Sequence, residues 1–348
     1  MRYRTLGQVV LTMALLTQAP VAAATQPSPT GTLPAACTWR ATALSLPAGE
    51  TGLATATDHA GGLSGTATQG STYHVVGWQN GAYRDYGSAV APIFAPTVAD
   101  QNRAGTIVGT AAYSVLGSTI IAPFKIEGGT LTQLPLPEGG YGQVTVMDIT
   151  DAGDITGYVW GSGSSGERRV VRWPASAPGT VIFAPGPFPV ELPADADEDG
   201  SLLFLGHVLR NGVLSPLGTL PGLEFSWADS ISNGHIVGYG VYNDKHVGVY
   251  WDRQLVAHVL PNSSYNLSNT NPQFTVNRDG LITGRIDEAH GGNDLAGTGY
   301  GVWDKGQWVG PFGDIGVDLP ATLGDDGTVG GYRIDGNRDV HPYHWRCA

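Results

Sequence analysis

The stretch PLGTLPGLEFSWADSISNGHIVGYGVYNDKHVGVYWDRQLVAHVLP, residues 216–261, contains the fullest copy of a pattern that recurs along the chain. Short runs such as ADSIS and HIVGYGVY alternate apolar and polar residues, which is typical of strands with one buried face. Asn233-Gly234 separates these two runs, and this dipeptide adopts positive φ readily and favours a tight hairpin. Further turns at 243–245 and 252–254 complete four short antiparallel strands, which predict one small sheet.

A turn of the form Gly-x-x-x-Gly marks each further copy of this sheet. The copies begin at Gly61, Gly105, Gly153, Gly234, Gly280 and Gly327, with a longer version at Gly200. Successive first glycines are 44, 48, 47, 34, 46 and 47 residues apart, and this is the period of a four-stranded propeller blade. The sequence therefore predicts an all-β, seven-bladed β-propeller with four antiparallel strands per blade, in which blade 4 has the shortest loops.

The composition agrees with an all-β domain and excludes several classes of partner. The 348 residues include 51 Gly and 23 Pro, 41% are hydrophobic, and the net charge is -12. Turns are therefore dense, yet enough apolar material is present for a sizeable core. Because Lys and Arg are not clustered, we expect no binding to nucleic acid or to an anionic membrane surface.

The first 36 residues have the features of an export segment followed by a linker. Residues 1–24 combine a basic start, an apolar run from Leu6 to Leu16 and small residues at Ala22-Ala23-Ala24, which predicts a signal peptide. The alternative, a membrane anchor, needs about 20 apolar residues, roughly twice the length of this run. Residues 25–36 are rich in Pro, Ser and Thr and predict a linker, so 37–348 form the propeller domain. We expect a secreted or periplasmic protein without membrane insertion after cleavage.

Aromatic residues recur at the end of the third strand of most blades: Trp78, Phe124, Trp173, Trp251, Trp303 and Trp345. A large ring at this point fills the wedge between neighbouring sheets, and burying it contributes on the order of a few kcal/mol. The alternative is a row of carbohydrate-stacking rings. Positions fixed by a structural repeat usually pack in the core, which favours the first interpretation.

The two cysteines test how the ring closes. Blade 7 ends one strand short at the carboxyl terminus, and residues 37–47, CTWRATALSLP, supply a strand whose LSLP ending matches HVLP at 258–261. Cys347 then follows the third strand and Cys37 precedes the fourth, where other blades have a hairpin turn. We therefore predict a Cys37–Cys347 disulfide, which stabilises by roughly 4 to 5 kcal/mol on the chain-entropy model. The alternative is two unpaired thiols.

These repeat features resemble those of the HAF-repeat family of probable extracellular repeat proteins. The resemblance is closest in LGTLPGLEFSWADSISNGHIVGY, residues 217–239, and in third strands that begin with His, such as 74–78 and 341–345. The strand from His246 to Trp251 is one residue longer, and the Ala-Phe of the family's namesake triad is missing from all three. The resemblance implies a secreted β-propeller, and it brings no catalytic residue set to this sequence.

Asp195, Asp197 and Asp199 alternate ahead of Gly200 and match the opening of a calcium loop, in which a tight turn presents hard oxygen ligands. The twelfth position is Gly206, where an EF-hand has a bidentate Glu, so an acidic hairpin turn is the alternative. We consider these aspartates a candidate structural calcium site. His74, His246 and His341 occupy equivalent points of different blades and are expected to be structural rather than metal ligands.

Two long loops of blade 6 contain the candidate functional residues. Propeller ligands usually bind at the mouth of the central channel. One loop, 261–272, offers Tyr265 and Asn266, and Trp227 of blade 5 adds a stacking surface, so these residues and His290 are candidate ligand contacts. The other loop places Asp287 and Glu288 beside His290, which could act as a general acid and base.

Two functions from different classes follow from these residues. The first is a non-catalytic, monomeric binding or scaffold module for an extracellular protein or glycan. It is favoured because the sequence contains no recognisable catalytic set. The second is a secreted polysaccharide-degrading enzyme, a lyase or hydrolase, with its site at the channel mouth near blade 6.

Overall fold

The computed structural model describes residues 37–87, 93–115, 118–139, 141–161, 168–184, 193–264, 274–287, 298–313 and 317–347. These residues contain 28 strands, and all of them belong to one compact unit. The strands form seven antiparallel sheets of four strands each. This arrangement is the seven-bladed β-propeller that the repeat period predicts.

Each of the first four blades uses four strands that are consecutive in the chain. Blade 1 comprises β2 (Thr51–Thr57), β3 (Leu63–Gln69), β4 (Thr72–Gln79) and β5 (Ala82–Asp85). Blade 2 comprises β6 (Ile93–Gln101), β7 (Ile107–Val115), β8 (Ser118–Glu127) and β9 (Thr130–Gln133). Blade 3 comprises β10 (Tyr141–Ile149), β11 (Ile155–Gly161), β12 (Arg168–Trp173) and β13 (Ile182–Phe183). Blade 4, which has the shortest period, comprises β14 (Pro193–Ala196), β15 (Leu202–Phe204), β16 (His207–Arg210) and β17 (Val213–Pro216).

The last three blades follow the same order until the chain ends. Blade 5 comprises β18 (Leu223–Ser232), β19 (His235–Tyr242), β20 (Lys245–Trp251) and β21 (Ala257–Val259). Blade 6 comprises β22 (Thr275–Val276), β23 (Leu281–Asp287), β24 (Thr298–Asp304) and β25 (Gln307–Phe312). Blade 7 comprises β26 (Asp318–Leu323), β27 (Val329–Ile334) and β28 (Val340–Cys347), and its fourth strand is β1 (Trp39–Ala43) from the other end of the domain.

Blade 7 closes the ring as the sequence predicts. β1 pairs antiparallel with β28, so that Trp39 lies opposite Cys347 and Ala43 opposite Tyr343. The disulfide between Cys37 and Cys347 joins residues 310 positions apart, with Cα atoms 5.3 Å apart. The covalent bond therefore replaces the hairpin turn that connects the third and fourth strands of the other blades.

The recurring Gly-x-x-x-Gly motif has a distinct physical reason at each glycine. In blade 5, Gly234 has φ of 77° beside Asn233 at 48°, so both residues adopt the left-handed conformation of a tight hairpin. Gly238 lies where a Cβ atom would stand 2.0 Å from the carbonyl oxygen of Trp227. That carbonyl belongs to the stretch of β18 where the register shifts between Ala228 and Ser230. The bulge on the innermost strand thus leaves no room for a side chain on the second strand.

The third-strand aromatic residues are core residues. Trp78, Phe124, Trp173, Trp251, Trp303 and Trp345 are all at most 3% exposed, which contradicts the carbohydrate-stacking alternative. Four of the indoles also donate a hydrogen bond to a carbonyl that follows the preceding blade: Trp78 to Ser45 at 2.7 Å, and Trp173 to Pro135, Trp251 to Gly218 and Trp303 to Pro261 at 2.8 Å. Each ring therefore fills the space between two sheets and ties them together.

The first strand of blade 5 is longer than the sequence predicts. Strand β18 begins at Leu223 rather than at Ala228, because its pairing with β19 continues to Tyr242. Trp227 therefore lies within an innermost strand rather than in a loop. Throughout the described part of the chain, no helix has the length and apolar character needed to cross a membrane.

Candidate ligand site in the central channel

The innermost strands of all seven blades line one central cavity of about 440 Å³. Every blade contributes at least one residue to the cavity wall; examples from blades 1 to 7, in order, are Thr55, Asp100, Asp148, Asp195, Asp229, Thr275 and Thr322. The cavity wall is thus built from the same part of the repeat, which lies at or next to a bulge in six of the seven innermost strands. Among the described residues that line it, none is Lys or Arg, and His59 provides an imidazole.

The acidic character of the cavity comes from five aspartates and one glutamate: Asp100, Asp148, Asp195, Asp197, Asp229 and Glu198. Burial raises the pKa of Asp229 to about 8 and that of Asp195 to about 7. Burial also raises the pKa of Asp148 well above its usual range, and the negative charge of Asp100 is the second cause. Desolvation disfavours the charged form of a carboxyl group, and no Lys or Arg in the described lining offsets it. At neutral pH the cavity therefore holds carboxyl groups that are partly protonated.

These aspartates also have a structural role, because they connect neighbouring blades at the inner edge of the ring. The Oδ2 atom of Asp195 accepts a hydrogen bond from the backbone N–H of Ile231 at 2.8 Å. The Oδ2 atom of Asp100 accepts one from Ile149 at 3.2 Å. Asp195 lies on β14 of blade 4, and its donor Ile231 lies on β18 of blade 5. Asp100 lies on β6 of blade 2, and its donor Ile149 lies on β10 of blade 3. The carboxylates thus satisfy backbone donors of another blade while they line the cavity.

An exposed aromatic pair stands on β18 at the amino-terminal side of Asp229. Phe225 and Trp227 are 40% and 43% exposed, and their ring centroids lie 5.3 Å apart. Trp227 also packs edge-on against Tyr239 of β19, with centroids 5.4 Å apart and planes at 85°. Because β18 is the innermost strand of its blade, the pair lies at the inner rim of the ring. Tyr239 is buried, so Trp227 is held by a fixed neighbour.

The structure describes two residues of the predicted ligand and catalytic set, Trp227 and Asp287. Trp227 is exposed at the rim, as its predicted role requires. Asp287 is the last residue of β23. Tyr265, Asn266, Glu288 and His290 lie outside the described residues. The predicted contacts of the two blade 6 loops therefore stay predictions.

The three aspartates of the candidate calcium loop point to different partners. Asp195 lines the cavity. Asp197 is buried, and its carboxylate accepts backbone hydrogen bonds from Glu198, Asn233 and Gly234, each at 2.8 Å. Asp199 accepts one from Ser201 at 2.8 Å, as in an acidic hairpin turn. Among the residues that the structure describes, no group of three His, Cys, Asp or Glu side chains is arranged to hold a metal ion.

The histidines at equivalent third-strand positions have separate local contacts. His74 lies 3.4 Å from Asp85 on the neighbouring β5, measured from Nδ1 to Oδ2. His341 lies 3.3 Å from Asp335, measured from Nε2 to Oδ2. His246 faces Val241 in the pairing of β19 with β20. These residues belong to blades 1, 7 and 5, in keeping with the structural role expected for them.

Sequence reasoning missed the channel aspartates, although a signal for them is present. Asp100, Asp148, Asp195 and Asp229 each lie five residues before the first glycine of their motif. When the repeats are aligned on that glycine, an aspartate stands at the same position in four consecutive copies. The calcium-loop pattern instead groups Asp195 with its close neighbours in the sequence. The four aspartates also differ in their position relative to the bulge. Asp229 is itself the bulge residue of β18, whereas Asp195 follows the bulge of β14.

Comparisons with known proteins support the fold. No protein-family model matches the sequence, and no curated protein matches it. Prolyl oligopeptidase B from Galerina marginata, bound to a 25mer macrocyclization substrate, is similar with a TM-score of 0.52 and 7% identity, over 87% of this chain and 48% of that one. The chain therefore spans about half the length of that protein.

Two further solved structures have lower TM-scores. The β-propeller domain of the Trilobed protease from Pyrococcus furiosus has a TM-score of 0.45 and 10% identity, over 85% of this chain and 93% of that one. A fungal alcohol oxidase in complex with copper has a TM-score of 0.47 and 14% identity, over 89% and 76%. The similarity with a TM-score of 0.52 shows the fold alone, because its sequence identity is 7%.

Proposed function

We propose that this chain is a secreted, monomeric binding module without catalytic activity, and that its ligand is an extracellular glycan. The observation that carries the proposal is the exposed pair Phe225 and Trp227 at the inner rim, above a cavity lined by hydroxyl and carboxyl groups. Ligand sites in proteins usually combine an apolar surface with a few convergent polar groups in a concave setting. The rim and the cavity together provide this combination.

The chemistry of the rim favours a sugar over a protein partner. The two aromatic rings, whose planes are tilted by 48° to one another, offer an apolar surface of the size of one or two sugar rings. Stable protein interfaces, in contrast, bury about 800 Å² per partner. The apolar faces of sugar rings pack on aromatic rings, and the hydroxyl groups of sugars can pair with Ser230 and Thr275 of the cavity lining. Because the cavity is acidic and the net charge is -12, we expect neutral or amine-bearing glycans to bind better than anionic ones.

A glycan array followed by titration of the best neutral or amine-bearing ligand tests this proposal. We expect Trp227→Ala to weaken binding by roughly tenfold or more, because a lost aromatic contact is worth about 1 kcal/mol or more. Val213→Ala, at an exposed position on β17, is the matched control and should bind normally. An array without a ligand, or full affinity in Trp227→Ala, would contradict the proposal; specific binding to a purified protein instead would favour a protein partner.

A second candidate function is glycan cleavage, and it is favoured by the carboxyl groups with raised pKa. A carboxyl group that is protonated near neutral pH can act as a general acid towards a glycosidic oxygen. The pKa values of about 7 for Asp195 and about 8 for Asp229 are suited to this role. A depolymerisation screen of polysaccharides tests it. Loss of activity in Asp229→Asn would place the chemistry in the cavity, whereas loss in His290→Ala would place it at the loop of blade 6.

Structural calcium at Asp195, Asp197 and Asp199 is a separate proposal. It is supported by the alternating sequence pattern, which matches the opening of a calcium loop. Calcium bound to the folded state would raise the melting temperature by mass action. We therefore expect EDTA to lower the melting temperature and added calcium to restore it. An unchanged melting curve would contradict a calcium site at these aspartates.

A further inference from the structure

A compact group of four charged side chains lies at the end of the channel away from the aromatic rim. Arg103, Asp151, Arg278 and Asp325, which we call the axial cluster, occupy the turns after the innermost strands of blades 2, 3, 6 and 7. The innermost strands line one channel and run in the same direction, so these turns all meet at one face. Phe225 and Trp227, in the earlier part of β18, lie towards the other face.

Each arginine of the axial cluster contacts both aspartates. The guanidinium of Arg103 pairs with the carboxylate of Asp325 and lies 3.6 Å from that of Asp151. The guanidinium of Arg278 lies 3.5 Å from Asp151 and 3.6 Å from Asp325. Charges of opposite sign therefore alternate around a closed square. A network of this kind holds its members more firmly than an isolated surface ion pair does.

The contacts of the axial cluster cross the ring. Arg278 belongs to blade 6 and Asp151 to blade 3, and these blades are as far apart around a seven-membered ring as two blades can be. Side chains from such blades can meet only over the central axis. Arg103 of blade 2 and Asp325 of blade 7 likewise reach past blade 1. The cluster consequently covers the channel axis rather than the outer surface of one blade.

Backbone hydrogen bonds fix the cluster to the turns and to the cavity wall. The backbone N–H of Arg103 donates to Asp151 at 3.1 Å, and that of Arg278 donates to Asp325 at 3.0 Å. The N–H of Asp151 donates to the carboxylate of Glu198 at 2.8 Å. Glu198 itself lines the central cavity. The cluster therefore lies directly against one end of that cavity.

We infer that the axial cluster is an ion-pair plug that closes this end of the channel and makes the cavity a blind pocket. Solutes therefore do not enter the cavity from this face of the ring. The same contacts hold blades 2, 3, 6 and 7 together across the axis. This inference does not depend on which ligand, if any, the rim binds.

Chemical modification of a thiol inside the cavity tests the plug. Ala321 lines the cavity on β26 and is small, so Ala321→Cys introduces a thiol there; the two native cysteines are joined in the disulfide and do not react. In this background, Arg103→Ala with Arg278→Ala opens the plug. We expect the rate of modification by a neutral maleimide to rise several-fold, because the plug no longer shields the thiol from this end of the channel.

Arg40→Ala with Arg338→Ala is the matched control, because it removes two exposed arginines that lie outside the plug. Its rate should equal that of Ala321→Cys alone. Equal rates in the plug variant and in the control would overturn the inference. If the double variant does not fold, Arg278→Gln replaces it, since this change breaks the contact across the axis while it keeps most of the side-chain volume. An unchanged rate in folded Arg278→Gln would overturn the inference equally.

Discussion

Gly238 shows at the scale of one residue why the repeat needs its second glycine. A Cβ atom at this position would lie 2.0 Å from the carbonyl oxygen of Trp227 and 2.7 Å from the Cα atom of Ala228. Both contacts are with backbone atoms of the bulged strand, which cannot move aside without breaking its pairing with β19. Gly65, Gly109, Gly157 and Gly331 show the same close approach to the carbonyl of their own innermost strand.

We therefore expect Gly238→Ala to destabilise the protein by about 1–3 kcal/mol, because overpacking forces the backbone to shift. Gly310→Ala is a suitable control, since Gly310 also lies in a strand, β25, and an added Cβ atom there would have no neighbour within 4 Å. Urea unfolding of the two variants provides the measurement. Equal midpoints for both variants would mean that the bulge relaxes at no cost.

Asp229 makes the stability of the protein depend on pH. Its pKa rises to about 8 in the folded state because of burial, whereas an unfolded chain has the ordinary value near 4. Between these two values the folded state binds more protons than the unfolded state, so stability falls as pH rises from about 4 to about 8. Asp229→Asn removes this group and keeps its shape.

We expect the melting temperature of the parent protein to decrease between pH 5 and pH 8 more steeply than that of Asp229→Asn. The difference between the two proteins should level off above about pH 8, where the carboxyl group is ionised in both states. Thermal unfolding at several pH values, at constant ionic strength, gives the comparison. Parallel curves for the two proteins would show that Asp229 is already ionised in the folded state at neutral pH.

The strands show how far sequence reasoning reaches at the scale of an element. The turn at Asn233-Gly234 and the alternation of 235–242 predict a hairpin, and the structure has β18 and β19 on either side of that turn. The first signal reflects the positive φ of the turn residues, and the second reflects the single buried face of a strand. Both depend on local sequence alone, so the sequence shows them. The bulge between Ala228 and Ser230 has only an indirect signal, the second glycine of the motif, and this glycine does not show which residue of β18 is the extra one. The candidate site lies beside these bulges, and therefore its geometry could not be predicted.

Trp251 links one element to the blade beside it. Its indole is fully buried and donates a hydrogen bond of 2.8 Å to the carbonyl of Gly218, in the connection from blade 4. We expect Trp251→Phe to lower the free energy of unfolding by about 2–4 kcal/mol, because it leaves a cavity and an unpaired, partly buried carbonyl.

Trp227→Phe is the control for Trp251→Phe, since Trp227 is 43% exposed and its replacement should change stability by less than about 1 kcal/mol. Denaturant unfolding followed by circular dichroism measures both variants. A small effect at Trp251 would mean that neighbouring side chains refill the space and that water satisfies the carbonyl of Gly218.

At the scale of the whole molecule, closure of the ring depends on contacts between distant parts of the chain. β1 and β28 come from the two ends of the domain, and the disulfide between Cys37 and Cys347 joins them. The sequence predicts this closure because blade 7 lacks one strand and the cysteines flank the gap. It does not reveal which residues of the axial cluster pair with one another. All four lie two positions before the first glycine of their motif, yet Arg103 and Asp325 are 222 residues apart, and only the folded ring brings them together.

Cys37→Ser with Cys347→Ser should therefore destabilise the protein by roughly 4–5 kcal/mol, because the unfolded chain regains the freedom that a crosslink over 310 residues removes. Reductant should lower the stability of the parent to a similar level and leave the double variant unchanged. Hydrogen exchange should locate the effect, with faster exchange in β1 and β28 than in blade 4, where the strands are consecutive. If exchange instead rises equally in all blades, the ring opens as one cooperative unit, and the disulfide stabilises the whole propeller rather than its last blade.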